Sequence, residues 1–272
     1  MDGKVVTYRA DGEGDPLLLL NGGLMSIASW DPIAPPLAAG RKVVRFDFRG
    51  QLLTSGPAPA TLGDHASDVL ELLDSLAIER ADLLGTSFGG LVALIVAGRW
   101  PARVRRLVVV TATAALTPEM RRQARELERL AERGDGASLF RLLADGTFSD
   151  RYLATQPPGW VEERAKATAT MPRGWFDGIA GLMKALGTLD LGDVLPRITA
   201  PALVIGAELD RTFPIESSRA IARAIPGSRL EILEGVGHGA VVEAPGRIVA
   251  LAEEFLSATA HTAPERPLEG VR

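Results

Sequence analysis

Residues 83–90 of this 272-residue chain read Leu83-Leu84-Gly85-Thr86-Ser87-Phe88-Gly89-Gly90, and they decide the predicted fold. The stretch contains the pattern Gly-x-Ser-x-Gly, in which a serine occupies a sharp turn between a strand and a helix. Glycines are needed two residues before and after the serine, because side chains there would clash in so tight a turn. The pattern alone is a weak signal in a chain with 29 glycines, so its context has to support it.

The residues on either side of the pattern supply that context. Residues 81–84 favour a short buried strand, and the aliphatic residues 91–97 favour a buried helix that ends near Gly98 and Pro101. Strand, turn and helix therefore follow in the required order. This order places Ser87 at a helix N-terminus, where the N–H of Phe88 is the expected donor to an oxyanion.

The composition excludes several kinds of site and partner. The absence of cysteine excludes disulfides, thiolate metal ligands and a cysteine nucleophile. The net charge of −4 argues against a nucleic acid or an anionic membrane as the main partner. The three histidines, His65, His238 and His261, are too dispersed for a zinc site. We therefore expect neither a metal nor a cofactor.

The sequence shows no targeting segment and no membrane span. Residues 1–4 lead into no apolar signal core, and the longest aliphatic run, residues 17–20, is too short to cross a bilayer. We expect a cytoplasmic protein, a monomer or a homodimer, whose partner is a small-molecule substrate.

Aliphatic runs alternate with helical patterns along much of the chain. The runs lie at residues 16–20, 42–46, 81–84, 106–110, 202–205 and 229–233, and residues 5–9 add a predicted antiparallel edge strand. Near-continuous aliphatic strands that alternate with helices indicate a buried parallel sheet with helices on both faces. The fold class is therefore predicted to be α/β.

One interval breaks this alternation. Residues 112–193 carry amphipathic helical patterns and no convincing strand, which predicts a helical cap over the carboxyl ends of the strands. The predicted organisation is a core domain formed by residues 1–111 and 194–258, a cap at 112–193 and a polar C-terminal tail at 259–272.

A serine hydroxyl needs a histidine to accept its proton, and the histidine needs an acid to fix its tautomer. His238 lies in a glycine-rich loop after the last predicted strand, whereas His261 lies in the polar tail, so His238 is the preferred base. Asp210 follows the run at residues 202–205 through a short turn and is the preferred acid, with Glu208 as its nearest competitor.

These motifs together resemble the α/β-hydrolase fold superfamily, and within it the esterase and enol-lactonase group that includes 3-oxoadipate enol-lactonases and aclacinomycin methylesterase. The matching stretches are residues 18–23 before Trp30, 46–50, 83–90, 206–210, and Gly237-His238 followed by Glu243-Ala244-Pro245. The resemblance implies a mostly parallel sheet of about eight strands. It also implies a nucleophile at Ser87, an acid at Asp210, a base at His238 and a second oxyanion-hole N–H at Gly23.

The chain departs from the family pattern after residues 47–50. There Gln51-Leu52-Leu53-Thr54-Ser55 replaces the usual small, glycine-containing stretch. Because that loop often borders the pocket in the family, Gln51 and Leu52 are expected to shape substrate choice. Other candidate pocket residues are Leu24, Trp160, Trp175 and Phe176, although the helical spacing of the aromatic residues is also typical of a cap core.

The sequence thus predicts a serine hydrolase that cleaves a carboxylic ester or lactone of a small, apolar substrate through an acyl-enzyme on Ser87. Alternatives stay open, because the same fold and triad serve C–C bond hydrolysis, perhydrolysis, acyl transfer and lyase chemistry. Some relatives with an intact triad act instead as ligand receptors with little turnover.

Overall fold

The computed structural model describes residues 6–52, 54 and 57–258. Seven strands of this part of the chain form one sheet in the order β1-β3-β2-β4-β5-β6-β7. They are β1 (Tyr8–Asp11), β2 (Asp15–Leu20), β3 (Arg41–Phe46), β4 (Ala81–Thr86), β5 (Val104–Val110), β6 (Ala202–Ala207) and β7 (Arg229–Leu233). Only β1 pairs antiparallel, with β3. The mostly parallel α/β sheet is confirmed, with one strand fewer in the described residues than the eight expected.

The helices lie on both faces of the sheet and in the interval between β5 and β6. They are α1 (Ala34–Leu37), α2 (Leu62–Ser75), α3 (Phe88–Arg99), α4 (Pro118–Arg133), α5 (Gly136–Thr147), α6 (Asp150–Ala154), α7 (Trp160–Ala169), α8 (Arg173–Leu186), α9 (Ile215–Ala224), α10 (Ala240–Glu243) and α11 (Pro245–Ser257). Short 3-10 turns occur at Ile27–Trp30, Pro101–Arg103 and Leu195–Arg197.

The alternation of side chains along β2 shows why its sequence is continuously aliphatic. Leu18 and Leu20 pack into the core cluster shared with α2 and α3, whereas Leu17 and Leu19 pack into the cluster shared with α1 and α11. Successive residues of a strand point to opposite faces, so a strand covered on both sides needs apolar residues at every position.

Five helices, α4 to α8, occupy the interval where the cap was predicted, and no strand of the described residues falls there. Helix α4 packs against α8, and α5 packs against α7. The short helix α6 was missed in the sequence, although Ser149 caps it by accepting a hydrogen bond from the N–H of Tyr152. The exact domain boundaries remain a prediction.

Two predictions fall partly or wholly outside the described part of the chain. The edge strand begins at Tyr8, and Val5, where it was expected to begin, is not described; the tail with His261 is not described either. Among the described helices, none is both long enough and apolar enough to cross a lipid bilayer. Cytoplasmic location and oligomeric state stay predictions.

His65 on α2 is fully buried and contacts aromatic rings on two sides. Its imidazole lies edge-to-face against Phe48 and Phe88, with centroid separations of 5.4 and 5.0 Å. Neither ring nitrogen has a hydrogen-bond partner among the described residues. Burial, followed by the nearby charge of Arg49, lowers the pKa of His65 from 6.5 to about 3. The imidazole is therefore neutral throughout the physiological pH range.

This burial predicts an acid-dependent loss of stability. Between pH 6.5 and about 3 the unfolded chain binds a proton at His65 and the folded chain does not, so the free energy of unfolding falls as the pH falls. The slope contributed by this group approaches about 1.4 kcal/mol per pH unit. Urea unfolding at pH 7, 6, 5 and 4 should give a flatter profile for His65→Leu than for the wild type. Identical slopes in the two proteins would show that His65 does not cause the dependence.

Candidate active site

Ser87 occupies the strained turn between β4 and α3. Its backbone angles are φ 50° and ψ −120°, in a region that residues other than glycine rarely adopt. The turn is held by a hydrogen bond from the Ser87 N–H to the carbonyl of Val110 at 2.9 Å. A Cβ at Gly85 would lie 2.4 Å from the carbonyl oxygen of Gly89, and one at Gly89 would lie 2.2 Å from that of Leu20. Only glycine permits these approaches.

The imidazole of His238 bridges the serine and an aspartate. Its Nε2 lies 2.8 Å from Ser87 Oγ, and its Nδ1 lies 2.8 Å from Asp210 Oδ2. The other carboxylate oxygen of Asp210 accepts hydrogen bonds from the N–H groups of Thr212 and Phe213, at 2.8 and 2.7 Å. Because a carboxylate only accepts hydrogen bonds, Nδ1 carries the proton, and Nε2 is free to accept the serine proton.

The structure places Asp210, and not Glu208, against His238. Glu208 is exposed, and its Oε2 accepts a hydrogen bond from the N–H of Gly235 at 2.8 Å. It therefore braces the loop that leads to the histidine without touching the imidazole.

Two further contacts hold the His238 loop, and neither was predicted from the sequence. Thr111, at the end of β5 with φ 46°, donates its hydroxyl proton to the carbonyl of His238 at 3.1 Å. The Glu243 carboxylate accepts from the N–H of Gly237 at 3.1 Å, and from both the N–H and the hydroxyl of Ser149 at 2.7 Å. Since Ser149 caps α6, Glu243 ties the interval between β5 and β6 to the histidine loop. The Glu-Ala-Pro motif was the only signal for this contact.

Gly23 and Phe88 both line the cavity at Ser87. The N–H of Phe88 is the first of α3 and has no acceptor within that helix. Within the described part of the chain, the N–H of Gly23 likewise donates to no backbone acceptor. The segment before it runs alongside the serine, since a Cβ at Gly22 would lie 3.7 Å from Ser87 Cβ. Two free N–H groups can therefore meet an oxygen bound at this point.

A cavity of about 570 Å³ opens onto Ser87 and His238. Of the predicted pocket residues, Leu24, Trp160 and Trp175 line it. Much of the remaining lining is apolar and includes Met25, Leu127, Phe140, Leu143, Phe148, Met183, Leu186 and Val242. Such a cavity suits an apolar small molecule with a polar reacting group at one end.

The prediction that Gln51, Leu52 and Phe176 line this cavity is wrong. Gln51 is buried and turns its amide onto the carbonyls of Gly22 and Gly23. Leu52 is 53% exposed and borders a different cavity, of about 850 Å³, beside α8. Phe176 is buried against Trp175, with ring centroids 5.1 Å apart. Adjacent helix residues point in directions about 100° apart, so only one of the two rings reaches the cavity.

Two arginines also line the cavity, and they differ in their partners. Arg211 pairs with Asp150 at 2.8 Å. The guanidinium of Arg164 lies 5.4 Å from the ring centroid of Trp160, and no carboxylate of the described residues pairs with it. Arg164 is exposed, and it was not among the pocket residues predicted from the sequence.

Several known proteins are similar to this chain over most of its length. A 2-hydroxymuconate semialdehyde hydrolase from Pseudomonas sp. (strain CF600) is 32% identical, over 90% of this chain and 88% of that protein. A pyrrolizixenacetamide deacetylase from Xenorhabdus hominickii is 29% identical, over 92% of this chain and 94% of that protein. The crystal structure of the enol-lactonase from Burkholderia xenovorans LB400 is 26% identical and covers 94% of this chain and 98% of its own, with a TM-score of 0.85.

The family described as alpha/beta hydrolase fold matches residues 15–245 of the chain. This match agrees with the strained serine turn, the sheet order and the residues gathered at the carboxyl ends of the strands. The resemblance expected from the sequence is confirmed: the chain belongs to the α/β-hydrolase fold family.

Proposed function

We propose that this protein is a serine hydrolase that cleaves a carboxylic ester or lactone of a small, apolar substrate through an acyl-enzyme on Ser87. The proposal is carried by one observation. Ser87 Oγ, the imidazole of His238 and the carboxylate of Asp210 are aligned by two contacts of 2.8 Å at the floor of an apolar cavity.

The geometry supports the following order of steps. As Ser87 Oγ attacks the carbonyl carbon, His238 Nε2 takes its proton, and the carbonyl oxygen becomes an oxyanion that the N–H groups of Gly23 and Phe88 stabilise. His238 then returns the proton to the leaving alkoxide, which in a lactone remains tethered to the acyl chain. A water molecule that gives its proton to His238 hydrolyses the acyl-enzyme in the second half-reaction.

Replacement of the nucleophile tests the mechanism. Ser87→Ala should lower kcat for p-nitrophenyl butyrate by about 10⁴-fold or more, because it removes the hydroxyl that His238 contacts. A fluorophosphonate probe followed by mass spectrometry should label the wild type at Ser87 and leave the variant unlabelled. Circular dichroism and thermal unfolding serve as controls for the fold. A folded variant that keeps a tenth of the wild-type activity would contradict the mechanism.

The cavity makes a separate prediction about selectivity, with neighbouring residues as a matched pair. Trp175 lines the cavity and Phe176 does not. Trp175→Leu should change the ratio of kcat/KM values between short and long acyl esters by about 10- to 200-fold, because apolar contact is lost with some substrates more than others. Phe176→Leu should lower the free energy of unfolding by about 1 kcal/mol and change kcat/KM by the same factor for every substrate. If kcat/KM changes by the same factor for every acyl length in both variants, Trp175 only supports folding.

A second candidate function, C–C bond hydrolysis of a carboxylate-bearing substrate, is favoured by Arg164. The substrate named for the Pseudomonas relative contains no ester, so water must cleave a carbon–carbon bond in it. Arg164 offers the cavity a cation without a carboxylate partner among the described residues. Product analysis with 2-hydroxymuconate semialdehyde and with neutral esters separates the two functions.

The same residue supplies a quantitative test. If the substrate is anionic, Arg164→Met should raise KM for carboxylate-bearing substrates by about 10-fold and leave neutral esters nearly unchanged, because only the former lose a charge-assisted contact. Steady-state kinetics on matched neutral and carboxylate-bearing esters measure this difference. An equal change for both substrates would remove the support for an anionic substrate.

A further inference from the structure

The segment that carries Gly23 is held by one buried side chain, Gln51. Its Oε1 accepts hydrogen bonds from the N–H of Phe48 and from Asn21 Nδ2, both at 3.0 Å. Its Nε2 donates to the carbonyl of Gly22 at 2.8 Å and to that of Gly23 at 3.3 Å. Two acceptor positions and two donor positions are thus all occupied, which is the full capacity of a primary amide.

These partners leave only one orientation for the amide. Turning it over would set Oε1 against the two carbonyl oxygens of Gly22 and Gly23. The same turn would set Nε2 against two hydrogen-bond donors, the N–H of Phe48 and the amide of Asn21. Both arrangements are repulsive, so the NH₂ group must face the glycine carbonyls.

A second layer of hydrogen bonds fixes Gln51 to the sheet. Asn21 accepts from Trp30 Nε1 at 2.6 Å and donates to Asp47 Oδ1 at 3.0 Å. The same Asp47 oxygen accepts from the N–H of Ile27 at 2.8 Å. Asn21 and Asp47 directly follow β2 and β3, whose parallel pairing brings their carboxyl ends together. The amide of Gln51 is therefore supported by two adjacent strands.

The geometry of the peptide bond connects this amide to the oxyanion site. In a planar trans peptide the carbonyl of one residue and the N–H of the next point in opposite directions. The carbonyl of Gly22 is directed at Gln51, which lies outside the Ser87 cavity, so the N–H of Gly23 is directed away from Gln51. Gly23 itself lines that cavity.

Such a restraint is needed because glycine has the largest backbone freedom of any residue. A flip of the Gly22–Gly23 peptide would aim a carbonyl oxygen, instead of an N–H, at a developing oxyanion. Besides Gln51, the N–H of Met25 donates to the carbonyl of Gly22, at 3.1 Å. The loop therefore keeps part of its restraint when Gln51 is replaced.

We propose that Gln51 is a positioning residue that aims the Gly23 N–H at the oxyanion by hydrogen-bonding the Gly22 carbonyl. The inference rests on the proposed function, since it assigns Gly23 to the oxyanion site of a serine hydrolase. It replaces the expectation that the departure from the family pattern after residue 50 serves substrate choice. Gln51 acts on the transition state and not on the bound substrate.

Two replacements of Gln51 and one neighbouring control test the proposal. Gln51→Met keeps the length of the side chain and removes all four hydrogen bonds. Gln51→Glu keeps the acceptor toward Phe48 and Asn21 and loses the donors toward the glycine carbonyls. The control is Thr54→Val, because Thr54 lies in the same loop and is also buried. Its hydroxyl donates to the Asp47 carbonyl at 2.6 Å and accepts from the Thr7 N–H at 3.1 Å.

Steady-state kinetics with an ester that the protein hydrolyses separate positioning of the Gly23 N–H from an effect on loop stability. Both Gln51 variants should lower kcat by about 10- to 100-fold with KM changed less than about 3-fold, since loss of a whole oxyanion donor costs about 10²- to 10³-fold and the Met25 N–H remains. Thr54→Val should lower the unfolding temperature and keep the wild-type kcat. Wild-type kcat in a folded Gln51 variant, or an equal fall of kcat in Thr54→Val, overturns the proposal.

Inhibition by an aryl trifluoromethyl ketone distinguishes a positioning role of Gln51 from a purely structural one, because the bound ketone carries an oxyanion. Ser87 Oγ bonds to the ketone carbon, the hydroxyl proton passes to His238, and the carbonyl oxygen becomes an oxyanion. Inhibition by this ketone should weaken in the Gln51 variants in parallel with kcat, while inhibition by the product alcohol stays unchanged. Unchanged inhibition by the ketone overturns the role of Gln51 alone. A wild type that forms no adduct at Ser87 overturns the proposed function as well.

Discussion

The arrangement of this site depends on one close backbone approach. The first turn of α3 comes so near the end of β2 that a Cβ at Gly89 would lie 2.2 Å from the carbonyl oxygen of Leu20. The same approach accompanies the positive φ of Ser87, two residues earlier. It also brings the segment after β2 alongside the serine. The close packing of α3 against the end of β2 thus places the serine and the loop that carries Gly23 side by side.

Around this turn, the buried polar groups are held by partners that do not take part in the proposed reaction. Asp210 is oriented by two backbone N–H groups, and the loop of His238 is held by Thr111 and Glu243. Gln51 holds the Gly22 carbonyl in the same way. None of these groups would have to reorganise if an oxyanion formed beside Ser87, as the proposed mechanism requires. His65 is the contrast: it is buried beside Phe88 without a hydrogen-bond partner among the described residues, and it stays neutral.

The contact between Glu243 and Ser149 joins two parts of the chain that the sequence analysis treated separately. Ser149 caps a helix in the interval between β5 and β6, and Glu243 follows the histidine loop. A shift of that interval that moves Glu243 would therefore also change the hydrogen bond from the Gly237 N–H to the same carboxylate. One carboxylate thus connects the interval between β5 and β6 with the loop that carries His238.

The sequence by itself determined the features that depend on neighbouring residues. Aliphatic runs predicted the strands, because a sheet covered on both faces needs apolar residues at successive positions. The spacing of Gly85, Ser87 and Gly89 predicted the turn, since its steric requirement is local. Only the tertiary structure decided that Gln51 faces the Gly22 carbonyl, that Trp175 and not Phe176 reaches the cavity, and that Glu243 contacts Ser149. These contacts join residues 29 and 94 positions apart, or depend on how a helix is rotated about its axis, so strand order and helix packing decide them.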